Sequence, residues 1–151
     1  MRHFTRSALV AAPPARLFAL INDVERYPEF VPWCVGSVVL SRTPAEVVAS
    51  LEVRRSLLRT RFTTRNTLVE PDCVTMTLVD GPFTALEGRW IIAGIEDAAG
   101  TLIGSRVTLE MRFEISNGLT ASLLEPLFEE TAASLVEAFV ARARATAGPT
   151  G

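Results

Sequence analysis

Three arginines on alternating positions of one segment, Arg59, Arg61 and Arg65, are the residues best disposed to meet a ligand of opposite charge. Side chains of a strand alternate between its faces, so these three share a face, and guanidinium groups in a row suit phosphate oxygens. Arg54 and Arg55, near the preceding turn, would extend the patch toward RNA contact. The same row also describes an ordinary solvated sheet face, and no specific RNA motif accompanies it. Acid–base and nucleophilic chemistry have less to work with. His3 is the single histidine and lies near a terminus, while Cys34 and Cys73 stand far apart. That set supports neither a metal site nor a disulfide framework. A Gly-rich phosphate loop, a zinc-hydrolase motif and a nucleophile elbow are all missing from the sequence. Glu110 and Glu114 fall on the polar face of one strand, and Glu129 and Glu130 on a terminal helix, where carboxylates are ordinarily solvated. These observations point to a binding protein rather than an enzyme, with no catalytic residue and no catalytic cofactor.

A second feature concerns apolar ligands. The stretch "ERYPEFVPWC", residues 25–34, places Tyr27, Pro28, Phe30, Pro32 and Trp33 within ten positions. Prolines restrict the backbone between them, and aromatic rings bury large apolar areas, so the segment suits a rigid corner. Such a corner either packs the core or frames the mouth of a cavity. Tyr27 adds a hydroxyl to an apolar ring, fit to orient a ligand's polar end or to make one hydrogen bond inside the core.

The elements that must position these residues follow from alternating periods of 2 and 3.6. Residues 3–11 read as a strand, and "PPARLFALI" as a helix entered through proline, with Leu17, Ile21 and Val24 on one side. Tyr27 before Pro28 is biased away from helical dihedrals, which predicts a break there. A short strand spans 35–40. Residues 46–54 set Val47, Ala49, Leu51 and Val53 against Glu46, Ser50, Glu52 and Arg54. Residues 58–69 set Leu58, Phe62 and Leu68 against the three arginines. Val74, Met76 and Leu78 continue the sheet, a turn at Asp80, Gly81 and Pro82 leads into "LEGRWII", and the longest strand runs near 101–115. There Val107, Leu109, Met111, Phe113 and Ile115 alternate with Thr108, Glu110, Arg112 and Glu114. After "SNG" a helix carries Leu124, Phe128, Ala132, Leu135, Phe139 and Ala143 as a repeating stripe, with a break expected near Pro126. A curved antiparallel sheet and an amphipathic helix each have one apolar side to cover, so they pack together as an α+β domain over residues 1–146, leaving 147–151 as a disordered tail.

Composition bounds the partners. With 151 residues and 48% hydrophobic content the chain has enough apolar material for a substantial core. Fifteen basic against seventeen acidic side chains give a formal charge of -2, which argues against a general nucleic-acid binder, and no DNA partner is implied. No stretch reaches the roughly 18 apolar residues that span a bilayer. A soluble, cytoplasmic protein is expected, with transient contact at the inner face of the membrane left open.

The order of elements, "DVERYPEFVPWC" at 23–34, "DGPFTALEGRW" at 80–90 and the terminal helix resemble the coenzyme Q-binding and ribosome association toxin branch of the START-like, polyketide-cyclase-like superfamily. The resemblance implies a helix-grip fold, in which the sheet wraps around the C-terminal helix and encloses a hydrophobic cavity. It implies binding of ubiquinone or a related polyisoprenoid lipid in support of respiratory electron transport. Its alternative implication is a toxin that binds the large ribosomal subunit and hinders subunit joining. Fold alone does not choose between the two. The residues expected to line the cavity or its mouth are Tyr27, Phe30, Trp33, Phe83, Leu86 and Trp90 from the motifs, Val107, Leu109 and Met111 from the long strand, and Leu124, Phe128 and Leu135 from the helix. After Trp90 the sequence "IIAGI" replaces the more aromatic run of the familiar pattern, which alters the cavity wall and leaves the ligand's identity open.

Overall fold

A computed structural model of the chain describes the backbone of residues 2–55, 58–81, 83–114 and 118–145; the side chains of residues 2, 55, 58, 118–129, 131 and 132 lie outside that description. The chain order is β1 (Arg2–Val10), α1 (Pro14–Asn22), a 3-10 turn (Val24–Arg26), α2 (Tyr27–Phe30), β2 (Cys34–Arg42), β3 (Glu46–Arg55), β4 (Leu58–Val69), β5 (Cys73–Asp80), β6 (Ala85–Glu96), β7 (Leu102–Glu114) and α3 (Gly118–Ala145). All seven strands form one antiparallel sheet in the order β1-β7-β6-β5-β4-β3-β2. Successive hairpins build six of the strands, and β1 closes the far edge by pairing with β7. The sheet curves around α3, the helix-grip arrangement that the sequence resemblance implies.

Register fixes which side chains face α3. Val47 stands opposite Asn66, Asn66 opposite Met76, Met76 opposite Gly88 and Gly88 opposite Met111, so one inward row crosses five strands. A parallel row joins Val74, Trp90 and Leu109, all of them buried. Because strand side chains alternate, the intervening positions carry the arginines, glutamates and threonines of the outer face. Ser50 departs from a plain solvated pattern: it lies on the outer side yet is buried, its hydroxyl accepting from Thr63 at 3.1 Å. At the end of β5, Gly81 adopts φ +153°, and a Cβ there would stand 2.8 Å from Phe62 Cβ, so the turn requires glycine.

The helices differ from expectation in two places. The predicted break at Tyr27 does not occur; the 3-10 turn runs directly into the single turn of α2, with Pro28 in its first turn. A proline there lacks only a donor that the first turn does not use. The expected break near Pro126 is also replaced by continuous helix from Gly118 to Ala145. Proline removes one backbone hydrogen bond, whereas tertiary packing supplies most helix stability. In the second half of α3, Val136, Phe139 and Ala143 are fully buried. Ile115 and residues 147–151 lie outside the described residues.

The aromatic corner is fastened to this half of α3. Phe139 meets Tyr27 and Phe30 in T-shaped contacts at centroid distances of 5.2 and 5.1 Å, and Trp90 of the sheet at 5.2 Å. Arg142 lies over the Phe30 ring at 5.1 Å and pairs with Glu29 at 2.9 Å, while Trp33 Nε1 donates to Ser134 Oγ at 3.1 Å. Two proline-stiffened turns and a helix are thus clamped into one wall.

Candidate ligand cavity and arginine face

Between the inward sheet face, the corner and α3 lies an apolar cavity of about 80 Å³. The space exceeds what a single water needs and suits a ring-sized apolar group. Of the residues expected around a cavity, Tyr27, Trp33, Leu86, Trp90, Met111 and Leu135 line it. Phe30 does not; it sits half-buried against Phe139 and under Arg142. Phe83 belongs to a separate buried cluster with Leu86 and Phe113, its ring 6.2 Å from that of Phe113. Val107 and Leu109 are buried in the main core behind the lining. Leu124 and Phe128 fall in the first half of α3, where side chains lie outside the described residues.

Tyr27 lines the cavity with its ring, but its hydroxyl is already engaged. It donates to the carbonyl of Ile21, in the last turn of α1, where helix carbonyls lack intrahelical partners. Burial, reinforced by negative charge at Cys34 and Asp23, pushes its phenol well above the ordinary tyrosine value. Burial likewise pushes the Cys34 thiol up. Neither group is poised as a nucleophile or base near neutral pH. Among the described residues no cluster of three or more His, Cys, Asp or Glu could hold a metal ion, and no helix is long and apolar enough to cross a membrane.

Sequence reading missed the cavity's polar members. Thr64 and Asn66 occupy the inward phase of β4 between Phe62 and Leu68, and both line the cavity. Thr64 Oγ1 donates to Asn66 Oδ1 at 2.8 Å. The signal was present as two polar residues in phase with Phe62 and Leu68, but the arginine row on the opposite phase dominated the alternation. Val24, Ala49, Leu51, Phe62, Met76 and Gly88 complete the wall. A Cβ at Gly88 would stand 2.6 Å from Met76 Cε, so glycine there lets the methionine lie against the sheet.

On the outer face, register brings Arg54 opposite Arg59 and Glu52 opposite Arg61. Arg59 Nε donates to Glu52 at 2.8 Å and Arg65 Nε to Glu46 at 3.1 Å. The bond from Arg59 holds the Glu52 carboxyl below its ordinary range and raises the guanidinium in return. Arg54 and Arg61 are exposed and make no ion pair among the described residues. Four arginines against two glutamates leave this face locally positive on a chain of net charge -2.

Residues 10–140 match the family described as polyketide cyclase / dehydrase and lipid transport. The chain belongs to that family. The ribosome association toxin RatA of Pseudomonas aeruginosa is 42% identical over 142 residues, covering 94% of this chain and 95% of the relative. A coenzyme Q-binding protein, the mitochondrial COQ10 of Drosophila melanogaster, is 27% identical over 98% of this chain and 61% of its own length. A crystal structure of TTHA0849 from Thermus thermophilus superposes with a TM-score of 0.82 at 19% identity, covering 97% of this chain and all of that one, which establishes likeness of fold alone. The chain is thus homologous both to RatA proteins and, more distantly, to a coenzyme Q-binding protein.

Proposed function

We propose that this chain associates with the ribosome, binding the large subunit and hindering subunit joining. The observation that carries this reading is the 42% identity to a ribosome association toxin along almost the whole of both chains, against 27% to the coenzyme Q-binding relative. The positive outer face of β3 and β4 supports it, because phosphate contacts supply most of the affinity in protein–RNA encounters. Arg59 and Arg65 are already neutralised by glutamates, so Arg54 and Arg61 are the cations with most to gain from a phosphate. Co-sedimentation of the purified chain with isolated large and small subunits tests the proposal. Binding to large subunits, weakening with salt and falling by roughly tenfold in Arg54→Glu/Arg61→Glu, is expected. No co-sedimentation with large subunits at low salt refutes it.

A second reading is favoured by the apolar cavity: a lipid held between sheet and α3, ubiquinone being the ligand for which the coenzyme Q-binding relative is named. An isoprenoid tail gains about 0.8 kcal/mol per buried CH₂ without needing polar partners. In this reading the chain meets the membrane surface transiently to exchange quinone and supports respiratory electron transfer. Lipid extraction from protein purified without harsh detergent, read by native mass spectrometry, tests it; an empty protein that also fails to take up quinones from vesicles rejects it.

A further inference from the structure

The cavity carries one polar feature that its apolar walls do not explain. Asn66 is 8% exposed, and its Oδ1 accepts from Thr64 Oγ1 at 2.8 Å. Its Nδ2, by contrast, meets no acceptor among the described residues, and it is not one of the side-chain atoms sealed from all open space without a partner. The open space it borders is the cavity, which it lines together with Met76 and Gly88, its neighbours across β5 and β6. An amide carries two N–H donors. Leaving them directed into an apolar space is unfavourable unless something in that space accepts them.

We infer that Asn66 is a specificity-determining donor, and that the cavity takes a compact, ring-sized apolar ligand bearing a carbonyl oxygen placed to accept from Asn66 Nδ2. Thr64 fixes the side chain in this pose. Its hydroxyl donates to Oδ1, which orients the amide so that nitrogen, not oxygen, meets the ligand. Tyr27 cannot take this role, because its hydroxyl is bonded to the Ile21 carbonyl. Met76 and Met111 share the inward row of Asn66, unbranched side chains that adjust to the outline of a ring. The inference does not rest on ribosome association, and it concerns the head of any ligand rather than a particular quinone.

The test compares two probes of one shape, 1-indanone and indane, by calorimetric titration and by shift of the melting temperature. Indane strands the amide donors; indanone satisfies one. Wild-type protein is expected to bind the ketone at least about tenfold more tightly than the hydrocarbon. Asn66→Leu, similar in volume but without donors, should bring the two affinities within about twofold while leaving a cooperative thermal transition. Equal binding of both probes by wild-type protein overturns the inference, as does failure to bind either up to its solubility limit. So does a folded Asn66→Leu protein that retains the ketone preference. Should Asn66→Leu not fold, the wild-type comparison decides the matter on its own. Because neither probe involves ribosomal subunits or an isoprenoid tail, this result stands apart from the sedimentation and lipid-extraction outcomes.

Discussion

Replacing Tyr27 by Phe removes one oxygen from a residue that is 7% exposed and leaves its ring contacts, to Phe30 at 5.9 Å and Phe139 at 5.2 Å, in place. What is lost is the hydrogen bond to the Ile21 carbonyl, which lies at the buried end of α1. A stranded buried acceptor costs about 1–3 kcal/mol. For a chain of this length each kcal/mol corresponds to roughly 2–4 °C, so the variant should melt several degrees lower, with an unchanged denaturant m-value. Tyr27 is the only tyrosine in the chain, so phenolate absorbance reports on it alone. Its phenol is raised in the folded state, chiefly by burial. A group raised on folding contributes stability that is fully present below its unfolded value, about 10, and is lost as pH climbs above it. Wild-type protein should therefore lose its advantage over Tyr27→Phe above pH about 10, by up to roughly 1.4 kcal/mol per pH unit. Cys34, raised as well, is common to both proteins and cancels in the difference. A variant as stable as wild type, or a tyrosine that ionises near its ordinary value in folded protein, refutes this account and returns the hydroxyl to ligand contact.

Two further outcomes follow from the packing. Leu109→Ala, at a side chain with no exposure in the inward row with Val74 and Trp90, should cost about 2–5 kcal/mol in urea unfolding without displacing any residue that lines the cavity. A loss below about 1 kcal/mol would mean that the sheet and α3 collapse around the gap. In thiol labelling with iodoacetamide at mildly alkaline pH, half-buried Cys73 should react ahead of Cys34, whose burial and raised thiol both slow it; equal rates would show that the corner opens readily.

The sequence by itself determined the faces. Alternation placed Val47, Ala49, Leu51 and Val53 inward and Arg59, Arg61 and Arg65 outward, and the register agrees, because a strand has two sides and one must be buried. It also located α3, whose apolar stripe at helical spacing needs cover. Which inward residue stands where was decided only by the tertiary structure. Trp90 and Leu109 are neighbours across one pair of strands, yet the first borders open space and the second does not. That difference comes from how sharply the sheet bends and where α3 and the aromatic corner rest on it, and period 2 encodes neither. The fate of the Tyr27 hydroxyl was likewise open in sequence, since its acceptor at Ile21 is a backbone carbonyl, identical at every position of a helix until the fold selects one. Asn66 shows the same limit from the other side: a polar residue at an inward position signals a partner, but only the assembled cavity reveals that the protein leaves one side of that amide for something else to fill.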